Sequence, residues 1–259
     1  MSDVTTSGGR IPEPATGAAR YDGLDAEALR FRTGAASVEL LDSVGSALDV
    51  AHERAAAGAP SGLLVLSDRQ TAGRGRAGRV WHSPAGAGVY LAALLRPLVR
   101  PFSGALAVRV GLALVGAVEE VAPGASPRVK WPNDVMVANR KVAGVLCEAR
   151  WSGASQGWVA LGIGVNVRGP VPAEVKGSAI ALAEVAPGVT RVALLELLLP
   201  RIWPLAERPS ALADDEREAF RRRQWVAPGA EEESVGVDGD GALLVHLPDG
   251  SLDRRVIPL

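Results

Sequence analysis

The sequence predicts an α+β fold, a β-sheet backed by helices with a small separate β unit at the C-terminal end. Three observations carry that expectation. Residues 62–67 (GLLVLS) and 89–95 (VYLAALL) are continuous short apolar runs, the pattern of strands buried on both faces. Residues 101–121 place Leu106, Val110, Leu114, Ala117 and Val121 at helical spacing, an amphipathic-to-apolar helix long enough to cover a sheet. From Trp225 onward the pattern changes to short strands separated by Asp238-Gly239-Asp240-Gly241 and Pro248-Asp249-Gly250.

The remaining elements follow in order. Residues 1–22 are rich in Gly, Pro, Ser and Thr and are expected to be disordered. Asp25 can cap a short helix reaching about Arg32, which gives residues 1–35 the character of an N-terminal arm. A brief strand at 38–41 precedes a turn whose last residue, Ser46, is a helix N-cap; Leu48, Ala51, His52 and Ala55 continue that helix until Gly58. After the 101–121 helix, Pro123-Gly124 stops the chain and 128–132 (RVKWP) is a short strand whose end is fixed by proline. Residues 135–137 and 142–149 form a hairpin, 157–167 is the last central strand, and 168–177 is loop. Helices are expected at 178–185, 192–206 and 210–224. The domain division is therefore an arm at 1–35, a main domain at 36–224 and a β unit, most simply a rudimentary barrel, at 225–259.

Composition narrows the function classes. A chain of 259 residues with 47% hydrophobic and 22% charged residues holds one sizeable core and an appendage. A net charge of −1 supplies no global field for gathering nucleic acid, so any anion site must be local. The lone cysteine, Cys147, excludes an internal disulfide and reads as a packed small residue on a strand. With no apolar run of about 18 residues and a polar first ten, no membrane span or secretory signal is expected, and the cytoplasm is the expected compartment.

One long polar loop, 68–90 (DRQTAGRGRAGRVWHSPAGAGVY), holds Arg69, Arg74, Arg76 and Arg79 among Gly73, Gly75 and Gly78, followed by Trp81. Glycines let backbone N–H groups approach a ligand, and arginines offer rigid forks for carboxylate or phosphate oxygens. The run Gly73–Gly78 satisfies G-x-G-x-x-G, but no apolar helix begins after it and no acidic residue follows about 20 positions on, so a dinucleotide turn is rejected. Lys130-Trp131-Pro132-Asn133-Asp134 ends a strand with a polar turn, and Lys141 lies across the hairpin beside Gly144. Gly162-Ile163-Gly164-Val165-Asn166 puts an amide on a glycine-lined strand suited to ribose or base contacts. His52, His82 and His246 are scattered, which speaks against a metal triad.

Taken together, GRGRAGRVWHSPAGAGVY, VKWPNDVMVANRKVAGVLCE and GIGVNV resemble the biotin protein ligases over residues from about 40 to 225. The resemblance implies a class II aminoacyl-tRNA-synthetase-like mixed sheet followed by a small SH3-like unit. It implies activation of biotin by ATP with Mg2+ to biotinyl-5′-AMP, then transfer to a lysine of an apo biotin carboxyl carrier protein. By the same resemblance Ser46, Ala47, Leu48, Gln70, Arg74, Gly75, Arg76 and Lys141 surround biotin. Gly73, Arg79, Trp81, Lys130, Asn133, Asp134, Gly144 and Asn166 serve ATP, Asp134 is the candidate for Mg2+, and Lys141, Arg76 and Arg74 are the candidate catalytic cations. The arginine loop would close as a lid over the adenylate.

Two departures stand out. The family's Ser-Thr-Asn wall for the ureido ring is Ser46-Ala47-Leu48 here, with Ser43 the other hydroxyl nearby, and loss of one buried hydrogen bond costs about 0.5–1.5 kcal/mol. The C-terminal unit is also short. Only about 35 Gly/Pro-rich residues precede the first core strand, so no operator-binding domain is expected. A monomer or homodimer is equally compatible. Alternatives are a lipoate or octanoate ligase of the same fold, an adenylate-binding protein without catalysis, and a nucleic-acid module built on the arginine loop.

Overall fold

The computed structural model describes residues 19–97, 103–152, 155–169, 171–230 and 232–257. Strand alternation organises it. In β3 (Gly88–Leu95), Val89, Leu91, Ala93 and Leu95 face one core, while Ala92 and Leu94 face a second, smaller one. The same division holds in β7 (Ser155–Asn166), where Val159, Leu161, Ile163 and Val165 enter the larger core. On β7's opposite face stand Ala160, Gly162, Gly164 and Asn166, as period-two geometry requires.

Seven strands form the main sheet in the order β1-β2-β3-β7-β6-β5-β4. Strands β1 (Ser37–Val44) and β2 (Leu63–Gln70) are parallel, joined by helix α2 (Ala47–Ala56). All other neighbours are antiparallel, including β4 (Arg128–Lys130), β5 (Asp134–Val137) and β6 (Arg140–Ser152), so the sheet is mixed. The larger core lies against α3 (Ser103–Val121) and α4 (Arg191–Ile202), whose Val108, Val110, Leu114, Leu194 and Leu198 are fully buried. Each such side chain contributes about 1.5–3 kcal/mol of transfer free energy. Helix α2 covers only part of the opposite face, with Leu48, Val50 and Ala51 on Val65, Ala92 and Ala160. The uncovered remainder of that face is where the site lies.

The sequence-based elements need several corrections. Tyr21 and Leu29, the latter in α1 (Ala26–Thr33), are buried in the main core, so residues from Tyr21 onward pack with the main domain; residues 1–18 of the expected arm lie outside the described residues. Strand β1 runs to Val44 because it pairs with β2 as far as Gln70. Of the helix expected at 178–185 only a single 3-10 turn, Leu182–Glu184, forms. There the Lys141 N–H donates to Ser178 O (2.7 Å) and the Ile180 N–H to Lys141 O (2.9 Å), so strand β6 takes up backbone groups that a helix would need. Helix α5 (Asp214–Arg223) starts later than expected because the Leu212 N–H is engaged by Gly239 O (2.7 Å).

Beyond Trp225, β8 (Glu233–Val237), β9 (Leu243–His246) and β10 (Leu252–Arg255) form a three-stranded antiparallel sheet. It is docked closely. Trp131 Nε1 donates to Gly241 O (3.0 Å), and a Cβ on Gly104 would lie 2.5 Å from Asp240 O, so the two backbones meet where only glycine fits. Arg109, 4% exposed, ties α3 to α5 through a two-pronged pair with Glu216 (2.7 and 2.8 Å) and bonds to Pro209 O and Ala211 O.

Candidate active site

Residues 73–81 fold as a small hairpin over the open face of the sheet. The Trp81 N–H donates to Gly73 O (2.9 Å), the Gly75 N–H to Arg79 O (2.7 Å), and a left-handed turn at Ala77 (φ 54°) and Gly78 (φ 70°) closes it. Gly73 is dictated by crowding, since a Cβ there would stand 2.4 Å from Trp81 O. The hairpin's base is tied to the sheet and to α2 by Gln70. Its Oε1 accepts the Ala47 N–H (2.8 Å), and its Nε2 donates to Ser83 Oγ (3.0 Å). Both ends of the amide are thereby engaged within the protein, which makes Gln70 a brace between the helix N-terminus and the loop.

Under the hairpin is a cavity of about 280 Å3. One end is apolar, lined by Leu48, Leu146 and Gly162, with Ser46 beside them. Ser46 caps α2 by position but its hydroxyl makes no cap bond to the helix, so it remains available to a ligand. The other end is polar, lined by Asn133, Lys141, Asn166, Arg168 and Ser178. Asn133 Nδ2 is held by Val145 O (2.9 Å) and Asn166 Nδ2 by Ile180 O (3.2 Å), which fixes the orientation of both amides.

Between the two ends stands Trp81. Its ring lies on the paired glycines Gly144 and Gly164; a Cβ at Gly164 would fall 2.4 Å from Trp81 Cε2. Lys141 Nζ is 5.1 Å from the ring centroid and 2.6 Å from Asp134 Oδ1. Trp81 Nε1 is buried over Gly164 without a hydrogen-bond partner.

The arginines divide by partner. Arg74 donates to both oxygens of Glu148 (2.9 and 3.2 Å) and pairs with Asp49 (2.8 Å). Arg76 is half-buried, lines the cavity, and has no carboxylate partner among the described residues. Arg79 Nε reaches back to Arg76 O (3.3 Å).

Most of the residues singled out in the sequence line this cavity, including Ser46, Leu48, Gln70, Arg74, Gly75, Arg76, Arg79, Trp81, Asn133, Lys141, Gly144 and Asn166. Others do not. Lys130 Nζ sits 5.0 Å over the Trp225 ring, Ala47 contributes its N–H to Gln70 from behind the wall, and Gly73 lies at the hairpin root. Asp134 stands behind Lys141 as its counter-ion. Among the described residues no group of three or more His, Cys, Asp or Glu could hold a metal ion. Cys147 is half-buried as a residue, and burial pushes its thiol up to about 12, against the nearby positive charge of Arg76, which leaves it inert.

Sequence reasoning missed Arg168 and the roof residues Val171, Pro172 and Val175, because a Gly/Pro loop shows no periodicity. Apolar residues within a polar loop were the available signal. It also missed the anchor beneath them. Arg191, 4% exposed, pairs with Asp22 and Asp68 (2.6 Å each), and Asp22 pairs with Arg168 (2.7 Å). Burial would raise the Asp22 carboxyl, but Arg191 and Arg168 outweigh it and hold it below the usual carboxylate range.

Comparison with known proteins accords with this geometry. Residues 48–166 match the model of the Biotin/lipoate A/B protein ligase family. The biotin–[acetyl-CoA-carboxylase] ligase of Paracoccus denitrificans is 35% identical over 227 residues, covering 78% of this chain and 90% of that protein. The chain belongs to the biotin protein ligase family. The biotin protein ligase of Aquifex aeolicus, solved in complex with biotin and ATP, superposes with a TM-score of 0.69 at 27% identity, covering 84% of this chain and 94% of that one. The bifunctional ligase/repressor BirA of Bacillus subtilis is 39% identical over 149 residues, 56% of this chain, and the match spans about half (46%) of the relative's length. No helix among the described residues is long and apolar enough to cross a membrane.

Proposed function

We propose that this chain is an ATP-dependent ligase that activates biotin as biotinyl-5′-AMP and transfers it to a lysine of a biotin carboxyl carrier protein, without operator-binding activity. The observation that carries the proposal is the division of one cavity into an apolar end and a polar end. Lys141 and the half-buried Arg76, which has no carboxylate partner among the described residues, both line it. The Aquifex relative binds biotin and ATP, which is the ligand pair such a division suits.

In this reading biotin's rings occupy the Leu48–Leu146–Gly162 end, with the Ser46 hydroxyl toward the ureido group, and its carboxylate points toward Lys141. A carboxylate oxygen attacks the α-phosphorus of ATP, a P–O bond forms, and the bond to pyrophosphate breaks. Two anions at about 4 Å repel by roughly 4 kcal/mol near a protein surface, and fixed cations offset that repulsion. Lys141 and Arg76 do so, with Lys141 oriented by Asp134 at 2.6 Å. Asn133, Asn166 and Arg168 take the nucleotide, whose Mg2+ travels with its phosphates. In the second step the carrier lysine amine attacks the acyl carbon and AMP departs with the bonding electrons. No protein nucleophile is needed; positioning and exclusion of water do the work.

The test is exchange of labelled pyrophosphate into ATP with the purified protein. Exchange that depends on biotin supports the proposal. Exchange with lipoate or octanoate and none with biotin would reassign the acyl group, and salt-sensitive duplex DNA binding would contradict the absence of operator binding.

A further inference from the structure

Arg74 is the first lid arginine, yet its guanidinium is taken by acidic side chains and not presented to the cavity as an open fork. Glu148 meets it with both oxygens (2.9 and 3.2 Å), and Asp49 takes NH2 at 2.8 Å. Glu148 is itself fixed from behind. Its Oε2 lies 2.8 Å from His52 Nε2, and Trp158 Nε1 lies 3.0 Å from His52 Nδ1. Indole N–H donates only, so Nδ1 accepts and the ring carries its proton on Nε2, aimed at Glu148. The result is a directed chain from Trp158 on β7 through His52 on α2 and Glu148 on β6 to Arg74 on the lid. These strands and helix belong to the sheet and its covering layer, so the last carboxylate is rigidly placed. The lid is not self-sufficient, because an isolated two-stranded hairpin is marginal in water.

We infer that Glu148, buttressed by His52, is a positioning residue that pins the lid through Arg74. This leaves Arg76 and Arg79, which line the cavity without a carboxylate partner among the described residues, as the lid arginines open to the ligand's anion. Glu148 touches no reacting atom in this role. It sets how often the hairpin lifts and hence how long an acyl-adenylate is retained. The kinetic consequence rests on the proposed activity; the pinning itself does not.

Two measurements separate these parts. In the ligand-free protein, Glu148→Gln is expected to speed hydrogen exchange at the Gly75 and Trp81 amides by about five-fold, with β6–β7 amides unchanged. Exchange within about two-fold of wild type at those amides would overturn the inference, whatever the enzyme's substrate. In the presence of biotin and ATP, Glu148→Gln is expected to release biotinyl-5′-AMP about ten-fold faster, with a smaller change in adenylation kcat. Arg74→Gln and the double variant should release it no faster than Glu148→Gln alone, since one pin can be lost only once. Additive effects would overturn the pairing. His52→Leu, which leaves Glu148 and Arg74 intact, should move exchange and release in the same direction by less; a wild-type lid in that variant would remove His52 from the chain. Should wild-type protein form no biotinyl-5′-AMP, the proposed activity fails while the exchange measurement still decides the pin.

Discussion

Trp81 lies on Gly164 so closely that a Cβ at residue 164 would sit 2.4 Å from the indole Cε2, well inside contact distance. The floor of the site is glycine because a flat ring rests on it. Gly164→Ala must push the indole off its seat, and the expected outcome is a sharp loss of ligand binding with little loss of stability. Titration calorimetry with biotin and ATP, paired with thermal melting, reads both. Unchanged affinity would show that the seat is immaterial.

Lys141 and Asp134 form the second relationship on which the site depends. Lys141→Ala removes a fixed cation from the cavity and leaves the Asp134 carboxylate, 16% exposed, without its counter-ion. Adenylation is expected to fall by about 100- to 1000-fold, the usual effect of removing one preorganised charge-stabilising group. A rate near wild type in single-turnover measurements would remove Lys141 from the chemistry.

Arg76 and Arg74 should behave differently although both are lid arginines. Arg76→Gly is expected to let the adenylate leak and to weaken its binding directly, because its guanidinium has no other carboxylate to serve among the described residues. An unchanged off-rate of biotinyl-5′-AMP would contradict the assignment.

The pairing of Arg109 with Glu216 ties α3 to α5 and sets an acid limit on stability. Burial would raise the Glu216 carboxyl, but the Arg109 hydrogen bonds and charge hold it below its ordinary value of 4.5. A depressed folded-state pKa gives stability that is fully present above the unfolded value and is lost as pH falls through the folded one. Glu216→Ala should therefore cost about 3 kcal/mol at neutral pH, since it strands a buried guanidinium. The deficit should shrink as pH drops below about 4.5. Denaturant titrations at pH 7 and pH 3.5 test this, and a constant deficit would refute the linkage.

Much of this was legible in the sequence. A continuous apolar run marked β3, a hairpin pattern marked β5 and β6, and the glycines Gly144, Gly162 and Gly164 marked where a ligand can approach closely. The side-chain partners were not legible. Nothing local tells that Arg74 meets Glu148 across 74 positions while Arg76 meets no carboxylate among the described residues, or that Lys130 turns to Trp225 and Lys141 to the cavity. Those choices depend on which strand edges meet, which is a tertiary matter. The shortening of the expected 178–185 helix to one 3-10 turn at Leu182–Glu184 has the same origin, because Ser178 and Ile180 are engaged by hydrogen bonds with Lys141 of β6.

The central assignment is tested most directly by transfer. The purified protein is incubated with biotin, ATP, Mg2+ and an apo carrier domain, and the carrier's intact mass is followed. One biotinyl addition at a single lysine is expected, abolished when that lysine is replaced by arginine or when ATP is omitted. An unmodified carrier, under conditions where a known ligase labels it completely, would contradict the assignment.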